Sequence, residues 1–372
     1  MPSFKSWLRP EVSQLKPYSP GKPIEEVKRE FGLDDVIKLA SNENPLGPSP
    51  VAIEAMRNAA PDVWMYPENE SPDLVNALAD FYGLTPGHLV CGAGSDELLH
   101  MLCLTFLAPG TEAISGEPPF MQYVFGPQLM GAKPVLTPMP NLVQDVDAML
   151  DAVTDRTRLI FIANPHNPCG TMLKKQDVDR LLDALPEHVL VVLDEAYYEY
   201  VDSPDYPDGV EYVKQGRNVV VTRTFSKAYG LAGLRVGYAI ADPELIGYLW
   251  QVKEPFSVTR QSQVAALAAL SDQDHVAKGR KLNKEGLELF CKCFDELGLF
   301  YGESYANLVL VDTKRDSKAV CTELLKRGVI VRSGEPFGLS TYIRVSTGLP
   351  EHNQRFVDTF REVLALVPPL ED

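Results

Sequence analysis

The sequence predicts an α/β fold: a mostly parallel sheet in a large unit, followed by a compact α+β unit. Three observations carry this expectation. Apolar, β-branched runs alternate with helical patterns up to about Gln251, as expected of strand–helix–strand units. The texture then changes to a long helical stretch followed by short strands and two further helices. Finally, Asn164, Asp194 and Lys227 each fall just past the end of an apolar run, and open parallel sheets bind ligands beyond the carboxyl ends of their strands. A chain of 372 residues has room for roughly two domains of about 100–200 residues each.

Taken in order, residues 1–40 read as an N-terminal arm. Pro10, Pro17, Pro20 and Pro23 make it too proline-rich for an early helix, so it is expected to lie across other surfaces. The large unit, 41–255, opens with a short strand at 88–92 and a helix at 95–107, then short strands at 112–116 and 133–137. A regular series follows: strand 158–163, helix 176–185, and strands 188–194, 218–224 and 235–241. The smaller unit, 256–372, holds a helix at 276–297, a strand at 308–312, a helix at 318–327, strands at 329–332 and 341–345, and a closing helix at 353–366.

Charge narrows the partners. Thirty-five basic against 51 acidic residues give a net charge of −16, which repels nucleic acid and anionic membranes. A bound phosphate therefore needs a local basic site. No run reaches the roughly 18 apolar residues of a membrane span, and the first residues lack a secretory apolar segment; the expected location is cytoplasmic. Cys91, Cys103, Cys169, Cys291, Cys293 and Cys321 show neither C-x-x-C spacing nor a disulfide framework, so reduced thiols are expected. No histidines stand at i, i+4, and no metal site is expected.

The stretch NVVVTRTFSKAYGLAGLRVGYAIA, from Asn218 to Ala241, concentrates the chemistry. Lys227 follows a buried strand, a costly place for an ammonium without a task. Desolvation beside other cations lowers an amine's pKa and makes it a nucleophile toward an aldehyde. Thr224 and Ser226 can donate to a phosphate, and Arg235 can clamp one through two hydrogen bonds. Together these are the groups that pyridoxal phosphate requires; the plainer alternative is a surface lysine in a serine-rich turn.

Four further clusters bear on the same chemistry. Gly94, Ser95 and Asp96 form a turn opening a helix, with Ser95 as the expected N-cap and an anion site, or an unligated cap, at the free N–H groups. Asn164, in Asn164-Pro165-His166-Asn167-Pro168-Cys169-Gly170-Thr171, can donate to a cofactor ring oxygen from a rigid turn. Cys169 places an oxidisable thiol in the same turn. Asp194 can pair with a pyridine nitrogen, and Tyr197 can hydrogen-bond the ring oxygen; an Asp capping the next segment is the alternative. Arg344, flanked by Ile343 and Val345, needs an anionic partner if it points inward and none if it faces solvent.

The run Ser226-Lys227-Ala228-Tyr229-Gly230-Leu231-Ala232-Gly233-Leu234-Arg235-Val236-Gly237 resembles the cofactor-lysine signature of the fold-type I pyridoxal phosphate aminotransferases. Matches extend from about Tyr18 to Gly348. The opening KPYSPGKPIEEVKREFGLDDVIKLASNENPLGPSP is similar to their histidinol-phosphate aminotransferase branch. The resemblance implies a large doubly wound domain and a smaller C-terminal α+β domain, with Lys227, Asp194 and Tyr197 catalytic. It implies that the Gly94-Ser95-Asp96 turn holds the phosphate, that Tyr123 stacks on the cofactor ring, and that Tyr66 reaches a partner subunit's phosphate in a homodimer with shared sites. It places Arg344 on a substrate carboxylate, and Tyr18, Asn42 and Arg332 on the substrate. The expected reaction moves an amino group from L-histidinol phosphate to 2-oxoglutarate. Alternatives are an aromatic or broad-range aminotransferase and a phospho-amino-acid decarboxylase of the same fold. Ser257 stands where the branch usually has asparagine, and Cys169 where the family commonly has threonine.

Overall fold

The computed structural model describes residues 4–13, 15, 17 and 21–370. Its strands are β1 (Ile37–Lys38), β2 (Leu89–Gly92), β3 (Glu112–Glu117), β4 (Lys133–Pro138), β5 (Thr157–Ala163), β6 (Leu190–Asp194), β7 (Val219–Thr224), β8 (Gly237–Ile240), β9 (Leu308–Asp312), β10 (Val329–Ile330), β11 (Arg332–Ser333) and β12 (Tyr342–Ser346). Seven of them form the large sheet, in the order β2-β8-β7-β6-β5-β3-β4. Pairing is parallel throughout except at β8, which runs antiparallel to both β2 and β7.

Strands β6 and β7 are buried at every residue, because helices cover both faces; this is why LVVLD and VVVTRT read as nearly continuous apolar runs. Leu74, Leu78, Ile160, Val191, Val221 and Ile240 pack on one face. Leu98, Leu102, Leu159, Phe161, Val192 and Val220 pack on the other.

A second, three-stranded antiparallel sheet, β11-β12-β9, backs onto the helices Gln273–Glu296, Ser317–Lys326 and Pro350–Leu366. Phe290, Phe294, Phe356 and Phe360 fill that core, each contributing about 1.5–3 kcal/mol by burial. Strand β1 pairs in parallel with β10, and Ile37 and Leu39 join the same core.

Three of the departures from the expected elements concern the arm and the strands around the site. The arm does carry helices, Pro10–Ser13 and Ile24–Phe31. Their prolines sit at the first residue and at the N-cap, where a missing N–H breaks no intrahelical bond, and Gly32 closes the second at φ 65°. The strand expected at 235–241 begins only at Gly237, because Arg235 is left-handed at φ 51°. The strand expected at 329–332 is two, β10 and β11, which belong to different sheets. Among the described residues, no helix is long and apolar enough to cross a membrane, and no group of three His, Cys, Asp or Glu could hold a metal ion.

Candidate active site

The topology gathers the chemistry at one edge. Strands β2, β5, β6 and β7 point the same way, and their carboxyl ends lead into the turn at Gly94, the turn at Asn164, Asp194 itself and the loop bearing Lys227. The reversal between β7 and β8 is what leaves residues 225–236 as a loop at that edge. A cavity of about 840 Å³ opens there, and Lys227, Asp194, Tyr197, Arg235, Arg332 and Arg344 share its wall.

Lys227 Nζ donates to the Ser41 carbonyl at 3.4 Å and lies 5.7 Å from the Tyr197 ring centre. Desolvation, followed by the Arg344 guanidinium, pulls its pKa down to about 8, against the opposing pull of Asp96 and Glu43. A neutral amine is thereby accessible near physiological pH. Asp194 behaves oppositely: burial lifts its carboxyl to about 6, although the hydrogen bond from Tyr123 works against the shift. Tyr123 is fully buried, stacked on Phe161 with ring centres 4.8 Å apart, and donates its hydroxyl to Asp194 Oδ2.

A cluster that could serve as an anion cradle forms where the β2 turn meets the lysine loop. Arg235 Nη1 donates to Ser226 Oγ at 3.2 Å, and Arg235 Nη2 reaches Asp96 Oδ2 at 3.4 Å. Thr224 Oγ1 donates to Ser226 Oγ at 3.0 Å and accepts the Ser226 N–H at 3.1 Å. Gly94 is required here: its φ is 83°, and a Cβ would stand 2.6 Å from Arg235 Nη2. Gly94, not Ser95, is the N-cap of the helix Ser95–Phe106, and Ser95 is its first residue. The cap position takes a backbone geometry that disfavours a side chain, and Ser95 and Asp96, which open the helix, line the cavity.

The asparagine turn corrects another expectation. Asn164 accepts from the Leu173 N–H at 2.8 Å and donates to the Leu173 carbonyl at 3.1 Å, stapling the loop behind the cavity. Asn167 is the asparagine in the cavity wall, where its Oδ1 accepts from Arg344 Nη1 at 2.7 Å. The turn contains two asparagines each followed by proline, and sequence alone does not say which one faces inward. Cys169 is buried among Met139, Leu142 and Leu310, away from the cavity, and burial raises its thiol pKa well above the usual range. That position disfavours oxidation.

Tyr197 Oη accepts from Asn42 Nδ2 at 2.8 Å, and Ser346 Oγ donates to Asn42 Oδ1 at 2.7 Å; Ser346 carried no sequence signal. Arg344 also donates to the Ala40 carbonyl at 2.7 Å. Arg332 sits opposite Arg344 in the β11–β12 register. Pro17 and Gly21 line the same cavity, while Tyr18 lies outside the described residues. Tyr66 is 80% exposed, stacks on Phe256 and borders a separate surface cavity.

Fold and site together define a lysine-centred enzyme of amine chemistry, built on a doubly wound sheet with an anion cradle at its carboxyl edge. The family model for class I and II aminotransferases matches residues 34–360, and the chain belongs to that family. A histidinol-phosphate aminotransferase of Moorella thermoacetica is 48% identical over 96% of this chain and 93% of its own length. One of Caldicellulosiruptor saccharolyticus is 44% identical over 96% of this chain and 100% of its own. The histidinol-phosphate aminotransferase of Sinorhizobium meliloti, solved in complex with pyridoxal-5′-phosphate, superposes with a TM-score of 0.88 at 29% identity, covering 97% of this chain and 98% of that one.

Proposed function

We propose that this chain transfers the amino group of L-histidinol phosphate to 2-oxoglutarate, using pyridoxal 5′-phosphate. The observation that carries the choice of donor is the pair Arg332 and Arg344, opposite each other in register and both in the wall of the cavity that holds Lys227. Two cations suit one substrate with a phosphate and another with a carboxylate. The names of the relatives support the same donor.

The residues fit the cofactor. Asp194 Oδ1 is buried without a hydrogen-bond partner among the described residues, which suits a protonated ring nitrogen. The cradle of Ser226, Arg235 and the Ser95 helix terminus suits its phosphate, and Asn167 and Tyr197 border the space for its ring. When bound, pyridoxal phosphate supplies an aldehyde that takes up the donor's amine and a protonated ring that withdraws the electron pair left on Cα.

Lys227 Nζ would hold the cofactor and, as general base and acid, would take the donor's Cα proton and give one back. Asp194 keeps the ring proton in place. Arg332 receives the phosphate of the donor, and Arg344 the carboxylate of the oxo acid. The arm 1–40, large unit 41–255 and small unit 256–372, a homodimer in which Tyr66 completes the partner's site, and a cytoplasmic location belong to the same reading. A half-reaction screen tests it: histidinol phosphate should bleach the visible absorbance of the loaded enzyme at lower concentration than aromatic amino acids do. No response to histidinol phosphate overturns the donor assignment.

A further inference from the structure

We propose that Asn42 and Ser346 are positioning residues that set the direction in which the Tyr197 hydroxyl gives its proton, locking this tyrosine to the strand that carries Arg344. The inference rests on the pyridoxal phosphate reading above. It concerns the orientation of one hydroxyl and not the identity of the donor.

The argument begins with the asparagine backbone. Asn42 is left-handed at φ 57°, a conformation uncommon outside glycine, though less so for asparagine. It is also almost fully buried, so the surrounding structure must hold it there. Ser346 does this twice: its Oγ accepts the Asn42 N–H at 3.0 Å and donates to Asn42 Oδ1 at 2.7 Å. A serine hydroxyl has one proton. Oγ gives that proton to Asn42 Oδ1, and the other end of the amide, Nδ2, is turned toward Tyr197.

The consequence falls on the tyrosine. Asn42 Nδ2–H occupies an acceptor position on Tyr197 Oη at 2.8 Å, so the tyrosine cannot give its own proton to Asn42. Tyr197 lines the cavity, and its proton is left for an acceptor there, the cofactor's ring oxygen. The chain of donors runs one way, from the Asn42 backbone through Ser346 and the Asn42 amide to Tyr197. Both ends are anchored. Ser346 N–H donates to the Leu39 carbonyl at 2.8 Å, and Arg344, two residues earlier on β12 and on the same face, donates to the Ala40 carbonyl. Segment 39–42 thus ties the strand of the carboxylate-binding arginine to the tyrosine of the large sheet. The charged groups that act on Tyr197 are Arg344, Asp194 and Asp96, with Lys227 Nζ 5.7 Å from its ring centre.

The test follows the visible absorbance of the cofactor-loaded enzyme against pH, with no amino donor present. A hydrogen bond given to the ring oxygen stabilises negative charge there and eases loss of the neighbouring proton. Weakening it therefore moves the titration midpoint upward. Tyr197→Phe should raise the midpoint. Ser346→Ala and Asn42→Gly, the latter chosen because glycine accepts the left-handed backbone, should raise it by about 0.5–1 pH unit, the scale of one neutral hydrogen bond. In the Tyr197→Phe background, Ser346→Ala should add no further shift. Unchanged midpoints in both single variants, or a shift of the same size with and without Tyr197, would overturn the proposal. An error in the donor assignment can neither produce nor hide the shift, because no donor is in the cuvette.

Discussion

The Tyr123 hydroxyl donates to Asp194 Oδ2 at 2.7 Å, while Asp194 Oδ1, equally buried, has no hydrogen-bond partner among the described residues. One contact fixes the plane of the carboxylate and the other oxygen remains available. Leaving a buried acceptor unpaired costs about 1–3 kcal/mol. Desolvation here also lifts the carboxyl pKa to about 6. A cation placed against Oδ1 relieves both costs, and a protonated pyridine nitrogen is such a cation.

Asp194→Asn is accordingly expected to keep cofactor through the anion cradle and Lys227 yet lose at least about 100-fold in kcat, the lower end of what a positioned proton-holding group contributes. Cofactor content by absorbance, alongside steady-state rates, separates the two effects. A variant with near wild-type kcat would reduce Asp194 to a structural cap.

Replacing Lys227 with Ala should abolish turnover and the borohydride-dependent fixation of cofactor to the chain, with the fold intact. The ammonium group contributes little to packing: its hydrogen bond to Ser41 is long, at 3.4 Å. Circular dichroism and thermal unfolding should match wild type. Cofactor still fixed by borohydride in this variant would remove Lys227 from the mechanism.

On strand β7, Arg223 is fully buried and donates twice to Glu195 and once to Asp208. Neither oxygen of the nearby Glu199 carboxylate has a hydrogen-bond partner among the described residues. Burial raises Glu199 to about 7, with Arg223 opposing. A carboxyl whose folded pKa exceeds its unfolded one favours folding below the unfolded value, about 4.3, and loses that contribution as pH rises through 7. Glu199→Gln should therefore gain on wild type by about 1–3 kcal/mol between pH 5 and pH 8. Denaturant midpoints of both proteins at the two pH values measure this; a difference that does not change with pH would contradict it.

Much of this site is legible in sequence because parallel strands put function at their ends. Asp194 and Lys227 each follow a buried β-branched run, and their neighbourhood in space follows from the order of β6 and β7 in the sheet. What was hidden is what depends on side-chain direction. Asn164 and Asn167 occupy equivalent-looking places before proline, and only the loop's fold turns the second one inward. The role of Gly94 as the helix cap depends on its positive φ and on Arg235 beside it, a residue far away in sequence. Ser346 is an ordinary strand residue until Asn42 is brought against it from the other end of the chain.

In the proposed reading the choice of substrate turns on Arg332. Like charges directly opposite each other in an antiparallel pair are unfavourable, and Arg332 and Arg344 are register partners. Arg344 is engaged by Asn167 Oδ1 and the Ala40 carbonyl. In the proposed reading Arg332 meets the phosphate of the donor and Arg344 the carboxylate of the oxo acid. Arg332→Ala should then raise KM for histidinol phosphate by about 10- to 100-fold, the value of a charge-assisted contact of about 1.5–3 kcal/mol. Turnover with an aromatic amino acid, which brings no phosphate, should barely change. Steady-state kinetics on both donors decide the matter: equal losses on the two would show that Arg332 supports the cavity as a whole, and that the phosphate is read elsewhere.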